Sequence, residues 1–463
     1  MSAPISEISE LADRRSAASI AALQRYERAD EPEAVFLADM LARIESARAR
    51  SRREGFARAS RGTGPDGPLR VLLLSYAGAG NTGADLRTIE TIRQLHHLFA
   101  PRRLELELFV LGGLLDHPVL ASVRKMPLHA PYIPDALDYA MPAYDLVINV
   151  EGSTYTSKFS DALAGILIGG VALAVAHGSR AFAYGVDSGK MTGALTRFAQ
   201  QSADGVDILC RNDAAGRDLA ALGIAARPGA DCAWTYAPSR TACVAGLGEK
   251  VVALCPTNPF WWPVTARAAP TAADSAEDIG TPPRYAGAYF HTWDRERAYA
   301  YREYVMRFAR IAVQLRARGF SPVLVAMEQL DRPACADIAA QLDFQPPIVA
   351  RGVAALEDVA GVVAHARCVV TTRYHAAVLA LSRGVPVFGL TLDERVERLL
   401  TEAGLDGWYA ACTDADGDEK ALARLFDDRQ DWPALRAHCL AFANGERGRF
   451  AQMGAELAAA MAR

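Results

Sequence analysis

The chain has 463 residues, 51% of them apolar, and a net charge of −4. At about 150 residues per domain, this length predicts two or three domains. The balance of 50 basic against 54 acidic residues leaves no global electrostatic case for a nucleic-acid partner, and the apolar content and charge balance exclude a disordered chain.

The longest apolar run, Ala162 to Ala176, falls short of the roughly 20 residues needed to span a bilayer and reads as a buried helix. The N-terminus has no basic segment leading into an apolar core, so no secretory signal is expected and the cytoplasm is the predicted compartment. The eight cysteines form no Cys-x-x-Cys pair; they read as reduced, buried thiols, and no metal site is expected of them.

In chain order, residues 1–68 read as a helical arm and linker. Ile5, Ile8, Leu11, Ile20 and Leu23 recur at helical spacing, and a second helix begins at Pro32. Seven Arg against two Glu lie between Arg43 and Arg61. A solvated helix face is the simpler reading of that stretch; a peripheral contact with an acidic membrane surface is the alternative.

Strands and helices then alternate. Strands are expected at Arg70–Tyr76, Leu104–Leu111, Asp145–Val150, Ala181–Tyr184 and Asp207–Arg211, with helices at Asp85–Phe99, about Ser160–His177 and Ala214–Leu222. This alternation predicts a parallel sheet covered on both faces, in a first α/β domain over 69–240. A second domain over 241–415 opens with strand Val251–Cys255 and is interrupted by an irregular insertion at about 256–292. Its alternation resumes with helix Arg295–Arg318 and ends with strand Val387–Leu390. Residues 416–463 read as helices closing this second unit. The pattern "helix, Gly, strand" repeats at His177-Gly178 and at Arg383-Gly384, which supports two similar units facing a cleft, with ligands at the C-terminal ends of both sheets.

Several residues fall at those ends. The loop Gly78-Ala-Gly-Asn-Thr-Gly83 comes after a strand and opens a helix, where exposed N–H groups favour an anion or polar ligand. No acid ends the second strand, so a dinucleotide is not expected. Arg211 and Arg373 each come directly after a strand, and two cleft-facing guanidinium forks suit a small, highly anionic ligand unless they pair with carboxylates instead. His375 lies in the first turn of a helix, a setting for proton transfer near neutral pH. Lys190 lies past a strand end and is a candidate further cation. Trp261, Trp262, His291 and Trp293 flank the insertion and serve either as a sugar-binding face or as core.

At this point the chain resembles the polysaccharide pyruvyl transferase family. Thr371 to Leu390 (TTRYHAAVLALSRGVPVFGL) is similar to that family's Ser-Arg-Leu-His-Ala signature and its subsequent Gly-Val-Pro. Weaker matches in the same order are Gly80-Asn-Thr-Gly83 with Asp85, Glu151-Gly152-Ser153, Arg211-Asn-Asp, Asp231-Cys-Ala-Trp234 and the segment continuing to Leu405. The resemblance implies two Rossmann-like domains in the glycosyltransferase-B arrangement. It implies transfer of pyruvate from phosphoenolpyruvate to a sugar or glycolipid precursor as a cyclic ketal, without a further cofactor. On that reading Arg211 and Arg373 clamp the donor and His375 is the acid. Lys190, Asn81, Gly83, Asp85, Glu151, Gly152, Ser153, Trp261 and Trp262 are the candidate substrate-binding residues.

The chain departs from the family pattern by an inserted Ala in the Gly-Asn-x-Gly-Asp motif, by Asn212 after Arg211, and by Gly185-Val-Asp-Ser where Gly-Gln-Ser is usual. Two other readings remain open. One is a nucleotide-sugar glycosyltransferase using Asp393, Glu394 or Glu397 for the ribose. The other is a non-catalytic scaffold with residues 1–65 as its interaction arm.

Overall fold

The computed structural model describes residues 21, 24–26, 28–54, 67–127, 134–262, 284–285, 288–289 and 293–462. The helix expected over Ile5 to Leu23, the basic stretch beyond residue 54, His291 and most of the insertion lie outside them.

Seven strands form the first sheet: β1 (Leu69–Leu74), β2 (Leu104–Val110), β3 (Arg124–Pro127), β4 (Leu146–Asn149), β5 (Arg180–Val186), β6 (Asp207–Cys210) and β7 (Arg227–Pro228). Their order is β3-β2-β1-β4-β5-β6-β7, and every pairing is parallel. Six strands form the second: β8 (Val251–Cys255), β9 (Ser321–Ala326), β10 (Ile348–Ala350), β11 (Cys368–Thr371), β12 (Val387–Thr391) and β13 (Tyr409–Ala411). Their order is β10-β9-β8-β11-β12-β13, again all parallel. Both sheets reverse direction of growth beside their first strand, which is where open α/β sheets leave a crevice. Strands such as Leu72-Leu73-Leu74 and Val252-Ala253-Leu254 are buried on both faces, as a covered parallel sheet requires. The expected strands all form. β3, β7 and β13 were not anticipated; they are short edge strands with little apolar pattern.

The helices that build the cleft and its support are α1 (Pro32–Glu54), α2 (Thr82–Phe99), α3 (Asp161–Ala176), α4 (Tyr374–Ser382) and α5 (Glu394–Glu402), with α6 (Trp432–Met461) last in the chain. The apolar run 162–176 is α3, and α1 is its cover. Phe36, Leu37, Met40 and Ile44 recur on one face of α1 and are buried. Gly165 and Gly169 let α1 approach: an added Cβ would lie 2.6 Å from Leu37 and 2.5 Å from Met40. Each such side chain contributes about 1.5–3 kcal/mol on burial, so α1 belongs to the core of the first domain. Its arginines are partly spent: Arg43 pairs with Asp135 at 2.7 Å and Arg50 with Asp138 at 3.2 Å. Among the described residues no helix is long and apolar enough to cross a membrane.

The final helix corrects one expectation. α6 does not close the second unit alone; it spans both. Arg436 and Arg447 donate to the carbonyls of Arg367 and Ser382 in the second unit. Further along, Phe450 accepts from Gln94 at 2.8 Å and Glu456 pairs with Arg227 at 2.6 Å in the first.

Candidate active site

The two domains meet at the C-terminal ends of their sheets, and main chain stitches them there. Thr82 N donates to Met327 O at 2.9 Å and Gln329 N to Gly80 O at 3.1 Å. Asp85, buried in α2, accepts from Arg351 of the other domain at 2.5 Å. Burial raises the Asp85 carboxyl to about 6 despite that cation.

Between the domains lies a cleft lined by residues from both, including Asn81, Gly83, Glu151, Ser153, Phe159, Trp262, Glu328, Arg373, His375 and Arg395. Seven of the residues singled out in the sequence therefore come together: Asn81, Gly83, Glu151, Ser153, Trp262, Arg373 and His375.

Asn81 caps α2, its side-chain oxygen accepting from Ala84 N at 3.1 Å, while its amide donates to Glu328 Oε2 at the same distance. Gly83 is needed for space. A Cβ there would sit 1.9 Å from His375 Nδ1, so the imidazole packs directly on the start of α2. Arg373 caps α4 at the end of β11 and lines the cleft. Its Nε donates to both oxygens of Asp331, and its Nη2 reaches Asp331 and, at 2.9 Å, Glu328.

His375 sits next, in the first turn of α4. Its Nε2 lies 3.4 Å from Asp231 Oδ2, a contact without the alignment of a full hydrogen bond. Burial lowers the imidazole pKa; Asp231 opposes this, and Arg87 and Arg211 add to it. The ring is thus neutral at rest, its Nδ1 turned to Gly83, and suited to accepting a proton. Asp231 is completely buried. Burial disfavours its charge, but Arg87, His375 and Arg211 together outweigh that and hold it well below the usual carboxylate range.

The remaining candidates lie elsewhere. Arg211 is 2% exposed and does not reach the cleft. Its fork closes on Asp187, its Nη1 lies 3.5 Å from Asp231, and its guanidinium stacks 3.8 Å from the Tyr374 ring centroid. The expectation that Arg211 grips a donor meets this arrangement: its donors already serve buried carboxylates beneath the site. Gly152 packs on it, a Cβ there falling 2.8 Å from Arg211 Nη1. Lys190 is exposed and outside the cleft. Asp85 is behind the cleft wall, and Trp261 is buried in a cluster with Trp262, Phe159 and Trp293.

Phe159, Glu328 and Arg395 line the cleft and were not anticipated. Arg395, in the first turn of α5, donates to both oxygens of Asp393 and reaches Ser153 Oγ across the cleft at 3.2 Å. Asp393 is also held by Lys158, so this trio keeps one positive charge facing the first domain. The signal for both charged residues was present: each lies just past a strand, Glu328 after β9 and Arg395 after β12. Among the described residues, no group of three or more His, Cys, Asp or Glu is placed to hold a metal.

Two parallel-sheet domains facing a cleft make this a glycosyltransferase-B-like fold. The solved structures it resembles have that fold. Anabaena HepE, in complex with UDP and glucose, shares 13% identity at a TM-score of 0.52, over 85% of this chain and 99% of that one. A UDP-N-acetylglucosamine 2-epimerase shares 12% at 0.51, over 85% and 95%. A Listeria monocytogenes protein described as the same kind of epimerase shares 12% at 0.50, over 81% and 94%. At these identities the likeness is one of fold. The family model for polysaccharide pyruvyl transferase matches residues 297–394, the segment that carries Glu328, Arg373 and His375. The family resemblance read from Thr371 to Leu390 lies within that match, which supports a transferase. No curated protein matches the chain significantly.

Proposed function

We propose that this protein transfers the pyruvyl group of phosphoenolpyruvate to a pair of hydroxyls on a saccharide or glycolipid precursor, forming a cyclic ketal and releasing phosphate. The observation that carries this reading is the start of α4. Arg373 and His375 both line the interdomain cleft, and both lie in the segment matched by the pyruvyl transferase family model.

Phosphoenolpyruvate carries a carboxylate and a phosphate. Arg373 and Arg395, the two arginines that line the cleft, would meet them, with the N-terminus of α4 adding its dipole. Arg395 takes the part first expected of Arg211. A neutral His375, oriented by Asp231, accepts the proton of an attacking sugar hydroxyl at Nδ1. Phe159 and Trp262, packed edge to face at 4.7 Å, offer an apolar wall for the sugar ring.

The nucleotide-sugar alternative draws on the fold and on the acids of α5. Of these, Asp393 is bound by Lys158 and Arg395 and Glu397 is exposed; Glu394 alone is left for a ribose, and it does not line the cleft that holds Arg373 and His375, which favours the pyruvyl reading. The test is titration of phosphoenolpyruvate into the full chain, and then phosphate release with a panel of saccharides. Saturable binding and acceptor-dependent release are expected. Stabilisation by UDP with no response to phosphoenolpyruvate would reverse the choice.

A further inference from the structure

Ketal formation needs a proton on the methylene carbon of phosphoenolpyruvate before a hydroxyl can add to the neighbouring carbon. His375 is poorly suited to give it, because its surroundings keep the ring neutral. Resting on the pyruvyl transfer reading, we propose that Glu328 is the acid that delivers this proton, with His375 as its complementary base.

The placement comes first. Glu328 comes two residues after β9, 4% exposed, and lines the cleft beside Arg373 and His375. The groups that face its carboxyl are Asn81 from the first domain and Asp331 and Arg373 from the second. One guanidinium thus serves two buried carboxyls. It divides itself unequally: Asp331 takes both Nε contacts and one from Nη2, whereas Glu328 takes a single contact from Nη2. Two like charges sharing one cation in a buried site cannot both ionise cheaply, so the pair holds a proton. Asp331 has no place in the cleft lining and is the better paired, which leaves that proton on Glu328, at the cleft.

The directions of titration agree. Burial raises both carboxyls of the pair; at Glu328 the charge of Asp331 adds to the rise, and Arg373 and Asn81 only partly oppose it. His375 moves the other way. An acid pushed up and a base pushed down in one cleft is the arrangement that general acid–base catalysis requires.

Atoms and electrons balance in this step. The O–H bond of Glu328 breaks as a C–H bond forms at the methylene carbon, which becomes the methyl group. The adjacent carbon, now electron-deficient, bonds to the first sugar oxygen, and that hydroxyl's proton passes to His375 Nδ1. The bond from this carbon to the phosphate oxygen breaks, its electron pair leaving with phosphate, and the second sugar oxygen closes the ketal. The second hydroxyl's proton restores Glu328, and the proton on His375 leaves with phosphate.

Glu328→Gln tests this, because its amide oxygen still accepts from Asn81 and Arg373 but the side chain cannot act as the acid. Phosphoenolpyruvate affinity is expected to stay within a few-fold of wild type, while kcat for phosphate release falls by about 10²–10⁴-fold. The wild-type rate falls as pH rises through the Glu328 pKa, since the acid must be protonated, and Glu328→Gln lacks this basic limb. Turnover within a few-fold of wild type, or a loss matched by lost phosphoenolpyruvate binding, would overturn the assignment. Should Glu328→Gln not fold, Glu328→Asp provides the readout: a displaced basic limb supports the assignment and an unmoved one defeats it. Wild-type protein that neither binds phosphoenolpyruvate nor releases phosphate from it would remove the pyruvyl reading itself. Wild-type turnover untouched by Glu328→Gln would remove Glu328 alone.

Discussion

Arg211 and Arg373 occupy corresponding places, each just past a strand and at the start of a helix, one in each domain. Their fates differ. Arg211 is sealed under the cleft between Asp187 and Asp231, with Tyr374 stacked on its face. Arg373 is also paired with two acids, yet its side chain remains 16% exposed at the cleft wall. A strand-end arginine is therefore not a ligand site by position alone. What decides is whether neighbouring carboxylates and rings close over the fork or leave it open to the cleft.

The contrast can be broken first at Arg211. Arg211→Leu takes from Asp187 its main cation, leaving Arg398 at 3.9 Å, and removes part of the charge that balances Asp231, so about 3–5 kcal/mol of stability should be lost. Denaturant unfolding measures this; an unchanged midpoint would show that Arg211 is not the keystone described. Gly83→Ala comes next. Its methyl group would occupy the place of His375 Nδ1, so we expect about 1–3 kcal/mol of overpacking and a fall in kcat as the imidazole is pushed aside.

Arg373→Lys keeps the charge but loses the fork, and phosphoenolpyruvate affinity should drop by about tenfold, read by calorimetric titration. Lys190→Ala, on an exposed residue outside the cleft, should leave that affinity unchanged. A drop at Lys190 and none at Arg373 would invert the assignment of the site.

Glu446 sharpens the comparison from beneath. It lies on α6, and burial raises its carboxyl from 4.5 to about 7, with Arg449 opposing and Glu402, Asp213 and Asp231 adding to the rise. The folded state binds this proton more tightly than the unfolded one, so the site's contribution to stability falls as pH rises between 4.5 and about 7. Glu446→Gln should stabilise the protein by about 1 kcal/mol at pH 8, and the gain should vanish toward pH 4. Denaturant melts at the two pH values check the sign.

Much of the fold was legible in the chain. The alternation of strands and helices, the buried α3 and the helix from Pro32 rest on local periodicity, and local periodicity survives into the structure. The unanticipated edge strands of the two sheets are short, and their few residues carry no pattern. The path of α6 across both domains was hidden, because a helix repeat states which face is apolar and not what covers it. At the site, Arg373 and His375 stand out because they come just after a strand and open a helix. The same criterion applied to β9 and β12 reaches Glu328 and Arg395. Asp231 could be seen in its motif, but its hold on His375 could not, because 144 positions separate them.

The residues themselves settled the two-domain α/β class and pointed to the place of the cleft, since strand ends and helix starts are local facts. Only the packed structure decided which charges remain available. A buried ion pair forms between residues far apart in the chain, and its partners are set by how two domains close over each other. That closure took Arg211 out of the cleft, brought Arg395 into it, and set Glu328 in its wall beside Arg373 and His375.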